Sequence, residues 1–181
     1  MPEQTPSQTI GPFFGYALPY PGDAEIASRT DPDAIRFHGT VYDGAGAPVP
    51  DALVEIWGPD ASGSPIDGRG SLDRDGYTAT GFGRAAVDRA GHYSFTTIRP
   101  GATAAGRAPY LLVAVFARGL LHHLFTRAYF SDDDPFLATV AEDRRGTLLV
   151  QPDGERSFRF DVGLQGGGET VFLDFSGDDR G

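Results

Sequence analysis

An all-β domain, a sandwich or barrel of antiparallel strands, is what this sequence predicts, and three observations carry the prediction. Eight short runs of β-type residues succeed one another from residue 35 onward. Turn-forming residues separate nearly all of them, as in Asp43-Gly44-Ala45-Gly46, Arg89-Ala90-Gly91, Pro152-Asp153-Gly154 and Gly166-Gly167-Gly168. Breaks of this kind join antiparallel strands. Glycine supplies 25 of the 181 residues, about twice its usual share of roughly 7%, and 14 prolines add further punctuation, so long helices find little room.

Two segments follow from the pattern, an extended N-terminal arm over residues 1–34 and a β-sandwich domain over residues 35–181. The arm is rich in Pro, Gly, Ser and Thr without a sustained period. It nevertheless carries Phe13, Phe14, Tyr16 and Tyr20 just after Gly11-Pro12. Four aromatic rings in so short a stretch must pack against something, either this domain's own sheet or a partner. The runs that read as strands are Ile35–Tyr42, Leu53–Trp57, Tyr93–Ile98, Tyr110–Phe116, His123–Phe130, Thr147–Val150, Phe158–Val162 and Val171–Phe175. The longest break, Gly58–Gly76, has little apolar content and reads as an irregular surface loop. One short helix is expected where Asp132, Asp133 and Asp134 precede Pro135, because Phe136, Leu137 and Val140 then recur at helical spacing behind an aspartate cap.

Composition excludes several kinds of chemistry. Acidic side chains outnumber basic ones 25 to 15, a net charge of −10, which argues against nucleic acid or an anionic membrane as partner. There is no cysteine, hence no disulfide, thiolate metal site or cysteine nucleophile, and no lysine, hence no Schiff base or Walker lysine. No apolar run approaches the ~18 residues that span a bilayer, and the start Met1-Pro2-Glu3-Gln4 lacks the features of a signal peptide, so a cytoplasmic protein is expected. Neither a G-x-S-x-G elbow nor an H-E-x-x-H helix is present. His122 and His123 are neighbours, which on a strand point to opposite faces and cannot chelate one ion together without a bulge. His38 and His92 stand alone and read as structural. Arg118, just beyond an apolar strand, needs either an anionic ligand or a carboxylate of this chain, and both readings stay open.

Several segments taken in order resemble the intradiol ring-cleaving dioxygenases. They include Thr5-Pro6-Ser7-Gln8-Thr9-Ile10-Gly11-Pro12-Phe13, Val54-Glu55-Ile56-Trp57, Gly83-Arg84 and Gly91-His92-Tyr93-Ser94-Phe95. Arg99-Pro100-Gly101, Phe116-Ala117-Arg118-Gly119, Thr126-Arg127-Ala128-Tyr129-Phe130 and the stretch Gly168–Phe175 follow. The resemblance implies a prealbumin-like sandwich and a reaction in which non-haem ferric iron and O2 open a catechol ring between its hydroxyls. In the iron-bearing members two tyrosines and an H-x-H histidine pair hold the metal, and period two puts both imidazoles on one strand face. At the corresponding positions this chain has Ser71, Thr103, Tyr110 and Leu112, a set that cannot retain the ion. The resemblance therefore implies an iron-free α subunit, without catalytic residues of its own, in a heteromeric member of the family. Its partner would be the β subunit that holds Fe(III), the two forming αβ protomers that assemble further and act on protocatechuate and O2. Thr9, Gly11, Pro12 and Arg118 are then the residues expected to reach the substrate pocket on the β subunit. Two other readings remain: a transthyretin-like module that carries a small aromatic acid, and a self-sufficient enzyme built on His122 or His123 with Asp132–Asp134.

Overall fold

Period-two alternation is clearest in the first strand, Ala34-Ile35-Arg36-Phe37-His38-Gly39-Thr40-Val41-Tyr42, and it decides which way this part of the chain faces. A computed structural model describes residue 11, residues 13–66 and residues 74–175. It contains α1 (Phe14–Ala17), β1 (Ala34–Tyr42), β2 (Leu53–Trp57), β3 (Phe82–Ala86), β4 (His92–Ile98), β5 (Tyr110–Phe116) and β6 (Leu124–Tyr129). After these come α2 (Pro135–Thr139), α3 (Glu142–Arg145), a 3-10 turn at Gly146–Leu148, and the short strands β7 (Gln151–Pro152), β8 (Ser157–Arg159) and β9 (Val162–Gly163).

The strands form two sheets. One has the order β4-β1-β8-β7, with β9 also pairing β1, and the other has the order β3-β2-β5-β6. Ile35, Phe37 and Val41 of β1, with Tyr93 and Phe95 of β4, point inward against Val54, Ile56, Leu111, Val113 and Val115 of the second sheet. This is the all-β sandwich that the sequence leads one to expect. Phe37 lies at its centre, fully buried, with its ring centroid 6.0 Å from those of Tyr93 and Phe160. Burial of a side chain of this size stabilises by roughly 1.5–3 kcal/mol. The Tyr93 hydroxyl donates to the carbonyl of Phe160, so the one polar atom of that ring is satisfied inside the core.

Pairing is antiparallel apart from β1 with β8 and β9, which run parallel to it. The chain leaving β6 passes through α2, α3 and the 3-10 turn before it returns, and only such a long crossover brings a strand back in the same direction. The expected cap is present: Asp134 accepts from the Phe136 amide at 2.9 Å with Pro135 in the first turn of α2. The same carboxylate accepts from the Ala108 amide at 3.0 Å and lies 3.1 Å from Arg107 Nε. Burial alone would raise its pKa, but these donors together hold it below the ordinary aspartate value. Among the described residues no helix is long and apolar enough to cross a membrane.

Three expected strands differ, and the run Phe158–Val162 is divided between β8 and β9. Thr147 falls within the 3-10 turn, and the run meets β6 at one isolated bridge, Leu149 beside Tyr129, with the Val150 amide on the Tyr129 carbonyl. Residues 171–175 run beside β6, with the Leu173 amide on the Phe125 carbonyl at 2.7 Å, but form no strand. Strand β3 carries little sequence signal because its inner face is filled from elsewhere. A Cβ at Gly83 would stand 2.4 Å from Ile26 Cγ1, so Ile26, at 1% exposure, supplies the bulk that a branched strand residue would.

Candidate functional site

Strand β5, Tyr-Leu-Leu-Val-Ala-Val-Phe, is apolar on both faces, which a strand with one solvated face has no reason to be. Leu111, Val113 and Val115 enter the core. Tyr110, Leu112, Ala114 and Phe116 therefore point outward, where the ladder sets Leu112 between Trp57 of β2 and Arg127 of β6, and Tyr110 opposite Tyr129. Trp57 is 54% exposed, and its ring centroid lies 4.6 Å from that of Phe82 on β3. At the far end of the same face Phe116, His123, Phe125 and Phe175 meet in succession, the first pair stacked and the next two edge to face, with centroids 5.2, 4.5 and 5.4 Å apart, and Leu121 stands exposed nearby in the chain.

Three of the four positions that the resemblance assigns to lost metal ligands meet here. Thr103, Tyr110 and Leu112 line one pocket of about 290 Å³ with Trp57 and with Pro59, Pro65 and Ile66 of the long loop. The loop reaches them because two glycines allow backbone to approach backbone: a Cβ at Gly101 would stand 2.4 Å from the Ala61 carbonyl, and one at Gly63 would overlap that of Ala102. Ser71, the fourth position, lies outside the described residues. The side chains in this pocket do not fit ferric iron. Leu112 has no donor atom, Thr103 offers a neutral hydroxyl, and the Tyr110 ring already carries the Arg127 guanidinium 4.9 Å from its centroid, a positive charge that disfavours a second cation beside it. Among the described residues no three His, Asp or Glu side chains converge as ion ligands anywhere else.

The arm is tied to this face by Arg84. Its Nε and Nη2 meet Glu55 Oε1 at 2.7 and 2.6 Å, across the β2–β3 ladder, and its Nη1 donates to the Leu18 carbonyl at 2.6 Å. Tyr20 lies against the same guanidinium. Further along the arm Phe13 and Tyr16 are exposed, while Phe14 is buried. Of the expected pocket residues, Gly11 is exposed, and Thr9 and Pro12 lie outside the described residues. Arg118 sits past the end of β5 opposite to Tyr110, with its side chain 74% exposed and its Nε 3.1 Å from Asp51 Oδ2. Sequence reasoning overlooked the breadth of this aromatic face, although the two-sided apolar character of β5 was the available signal.

Elsewhere the polar groups are turned to one another. On the back of the first sheet His38 Nε2 lies 2.9 Å from Asp153 Oδ2, and His38 Nδ1 lies 3.4 Å from His92 Nε2. Burial first, then the neighbouring Arg36 charge, holds the His38 pKa below the ordinary 6.5, with Asp153 opposing them. A larger cleft of about 550 Å³ lies along Tyr42–Gly46 and Arg159–Gly168. Its Arg159 and Asp161 face each other at 3.5 Å, and Asp43 is taken up by the amides of Ala45 and Ala47, so it presents no uncommitted charge to a ligand.

Comparisons with known proteins identify the family. A family model described as Dioxygenase (Dioxygenase_C) matches residues 11–166. The chain is 37% identical to a protocatechuate 3,4-dioxygenase alpha chain of Burkholderia cepacia over 95% of this chain and 98% of that one. It is 40% identical to the alpha chain of Pseudomonas putida over 95% and 96%. It is also 28% identical to the Burkholderia cepacia beta chain of the same enzyme, over 74% of this chain and 65% of that one. Among solved structures, the dioxygenase domain of a carbohydrate-binding fusion from Streptomyces sp. SirexAA-E superimposes with a TM-score of 0.59 at 25% identity, covering 91% of this chain and 99% of that domain. By family model, by relatives along nearly its whole length and by fold, this chain belongs to the intradiol ring-cleavage dioxygenases.

Proposed function

We propose that this chain is the iron-free alpha subunit of a heteromeric protocatechuate 3,4-dioxygenase that works in the cytoplasm. In this reading it pairs with an iron-bearing beta subunit, and the pair converts protocatechuate and O2 to 3-carboxy-cis,cis-muconate. The observation that carries the reading is the pocket of Thr103, Tyr110 and Leu112, which keeps the place of a metal site with side chains that cannot hold ferric iron. Ferric iron on the beta subunit would supply the oxygen chemistry. What this chain contributes is shape and charge.

The aromatic back of the second sheet, with Trp57 and Phe175 exposed, has the composition of a surface that is covered in an assembly. Arg84 and Glu55 hold the arm at its border, where Phe13 and Tyr16 stand exposed for a partner to cover. Thr9, Gly11 and Pro12 are proposed to border the beta subunit's substrate pocket. Arg118 is proposed to draw the benzoate's carboxylate toward it against the field of a chain carrying net charge −10. Its partner Asp51 leaves the guanidinium mostly in water, where it can exchange one carboxylate for another at little cost.

The test is co-expression with a beta chain followed by oxygen uptake on protocatechuate and iron analysis. Activity and iron are expected only when both chains are present. Stoichiometric iron with a tyrosinate absorption band in this chain alone would overturn the assignment. A second experiment removes residues 1–14: a folded sandwich is expected that pairs poorly or turns over slowly, and full pairing with normal turnover would refute the role given to the arm.

A further inference from the structure

A cleft of about 360 Å³ opens on the polar side of the molecule, lined by Arg29, Arg36, Arg156, Ser94 and Thr96 over the backbone of Ala34 and Ile35. Three guanidiniums in one cleft run against the composition of a chain with 25 acidic residues and a net charge of −10. No residue lining the cleft is acidic, and among the described residues none of the three arginines pairs with a carboxylate. Two of them are instead oriented by neutral acceptors. Arg36 Nε donates to Ser94 Oγ at 3.1 Å, with its Nη2 3.5 Å from His92 Nε2. Arg156 Nη2 donates to the carbonyls of Asp31 and Pro32 at 2.6 and 2.9 Å. A neutral acceptor fixes the direction of a guanidinium without cancelling its charge, so the positive potential of the cleft is left standing.

The frame around it is rigid. Arg36 faces Thr96 on one side and Ser157 on the other in the β1 ladders, and its amide donates to the Arg156 carbonyl at 2.8 Å. Charges brought together from separate chain segments by a sheet are organised before any ligand arrives.

We propose that this cleft binds a small multivalent oxyanion, a di- or tricarboxylate or a phosphate, through Arg29, Arg36 and Arg156 with the hydroxyls of Ser94 and Thr96. The planar fork of arginine suits carboxylate and phosphate oxygens alike. All three arginines are exposed, so each contact is weak and affinity rises with the number of charges on the anion and falls with added salt. This site is independent of the role assigned to the aromatic face, and its failure would leave that role untouched.

Calorimetric titration of the full-length chain, alone and in complex with its beta chain, tests the proposal. The probes are tricarballylate, succinate, acetate and inorganic phosphate at low ionic strength. Tricarballylate is expected to bind more tightly than succinate and succinate more tightly than acetate, and the rank of phosphate distinguishes the two anion classes. Arg29→Gln, which removes a side chain with no hydrogen bond or ion pair among the described residues, should weaken binding roughly two- to fivefold, and Arg29→Gln with Arg36→Gln by about tenfold. Arg89→Gln removes the same charge from an exposed turn and should leave binding unchanged. The proposal is overturned if neither tricarballylate nor phosphate binds saturably, if Arg89→Gln costs as much as Arg29→Gln, or if the beta chain abolishes binding and so claims the cleft as a protein contact.

Discussion

On the back of the first sheet β1 and β4 set out Arg36, His38, Thr40, His92, Ser94 and Thr96, whereas on the back of the second β2, β3 and β5 set out Trp57, Phe82, Leu112, Tyr110 and Phe116. The inner faces of both are built from the same kinds of residues and share one core. Backbone pairing is indifferent to which face meets water, so the contrast lies wholly in the alternate side chains. The first sheet is polar and solvated: His38 finds Asp153 and His92, Arg36 finds Ser94, and the arginine cleft stays open to water. The second is covered at its β6 end, where Leu137 and Leu148 pack with Tyr129, but leaves Trp57 and Phe175 exposed, and a protein keeps such area for a partner.

The contrast can be broken at four places, with decreasing effect. Phe37→Ala removes the ring that both sheets share and should cost about 3–5 kcal/mol in a denaturant titration. A loss below about 1 kcal/mol would mean that the two layers do not depend on one core. Trp57→Asp places a charge on the aromatic face at a half-exposed site, so the chain should stay folded and lose affinity for the beta chain by about thirtyfold, the scale of an interface anchor. Gln151→Asp, on an exposed edge strand of the other sheet, should leave pairing unchanged. Equal effects from the two, read by analytical ultracentrifugation, would erase the distinction between the faces.

Arg118→Ala in the assembled enzyme should raise the apparent KM for protocatechuate roughly fivefold with kcat little altered, because the arginine assists binding more than bond breaking. Unchanged steady-state kinetics would remove Arg118 from the pocket. The smallest effect belongs to the polar face. Burial and Arg36 keep the folded His38 pKa below 6.5, so the unfolded chain binds the proton more readily. Its contribution is fully present above about pH 6.5 and is lost as pH falls through the lower, folded value. Melting temperatures followed from about pH 8 to pH 5 should fall more steeply for the parent chain than for His38→Gln, and parallel curves would mean that His38 titrates as freely in the fold as outside it.

Much of this contrast can be read along the chain. Alternation in β1 marks its polar side, Asp134-Pro135 announces the helix it caps, and the doubled apolar pattern of β5 betrays a face that water does not own. Strand β3 escapes such reading because Ile26, 57 positions before Gly83, fills the space that strand residues would otherwise have to fill themselves. The segments around Thr147 and Val171 have the composition of strands but meet β6 at isolated points instead of along a ladder.

What the residues alone determined is local: where polarity alternates and where the backbone must turn; that an imidazole pair is missing at Tyr110 and Leu112 is what the family resemblance added. What only the tertiary structure decided is convergence. Thr103, Tyr110 and Leu112 share one pocket, Arg84 joins Leu18 to Glu55, and three arginines gather around one cleft, because β-ladders bring together segments far apart in sequence. Periodicity reports which side of its own strand a residue occupies. It carries no information about which strand lies alongside, since that choice is made by the complementary packing of whole faces.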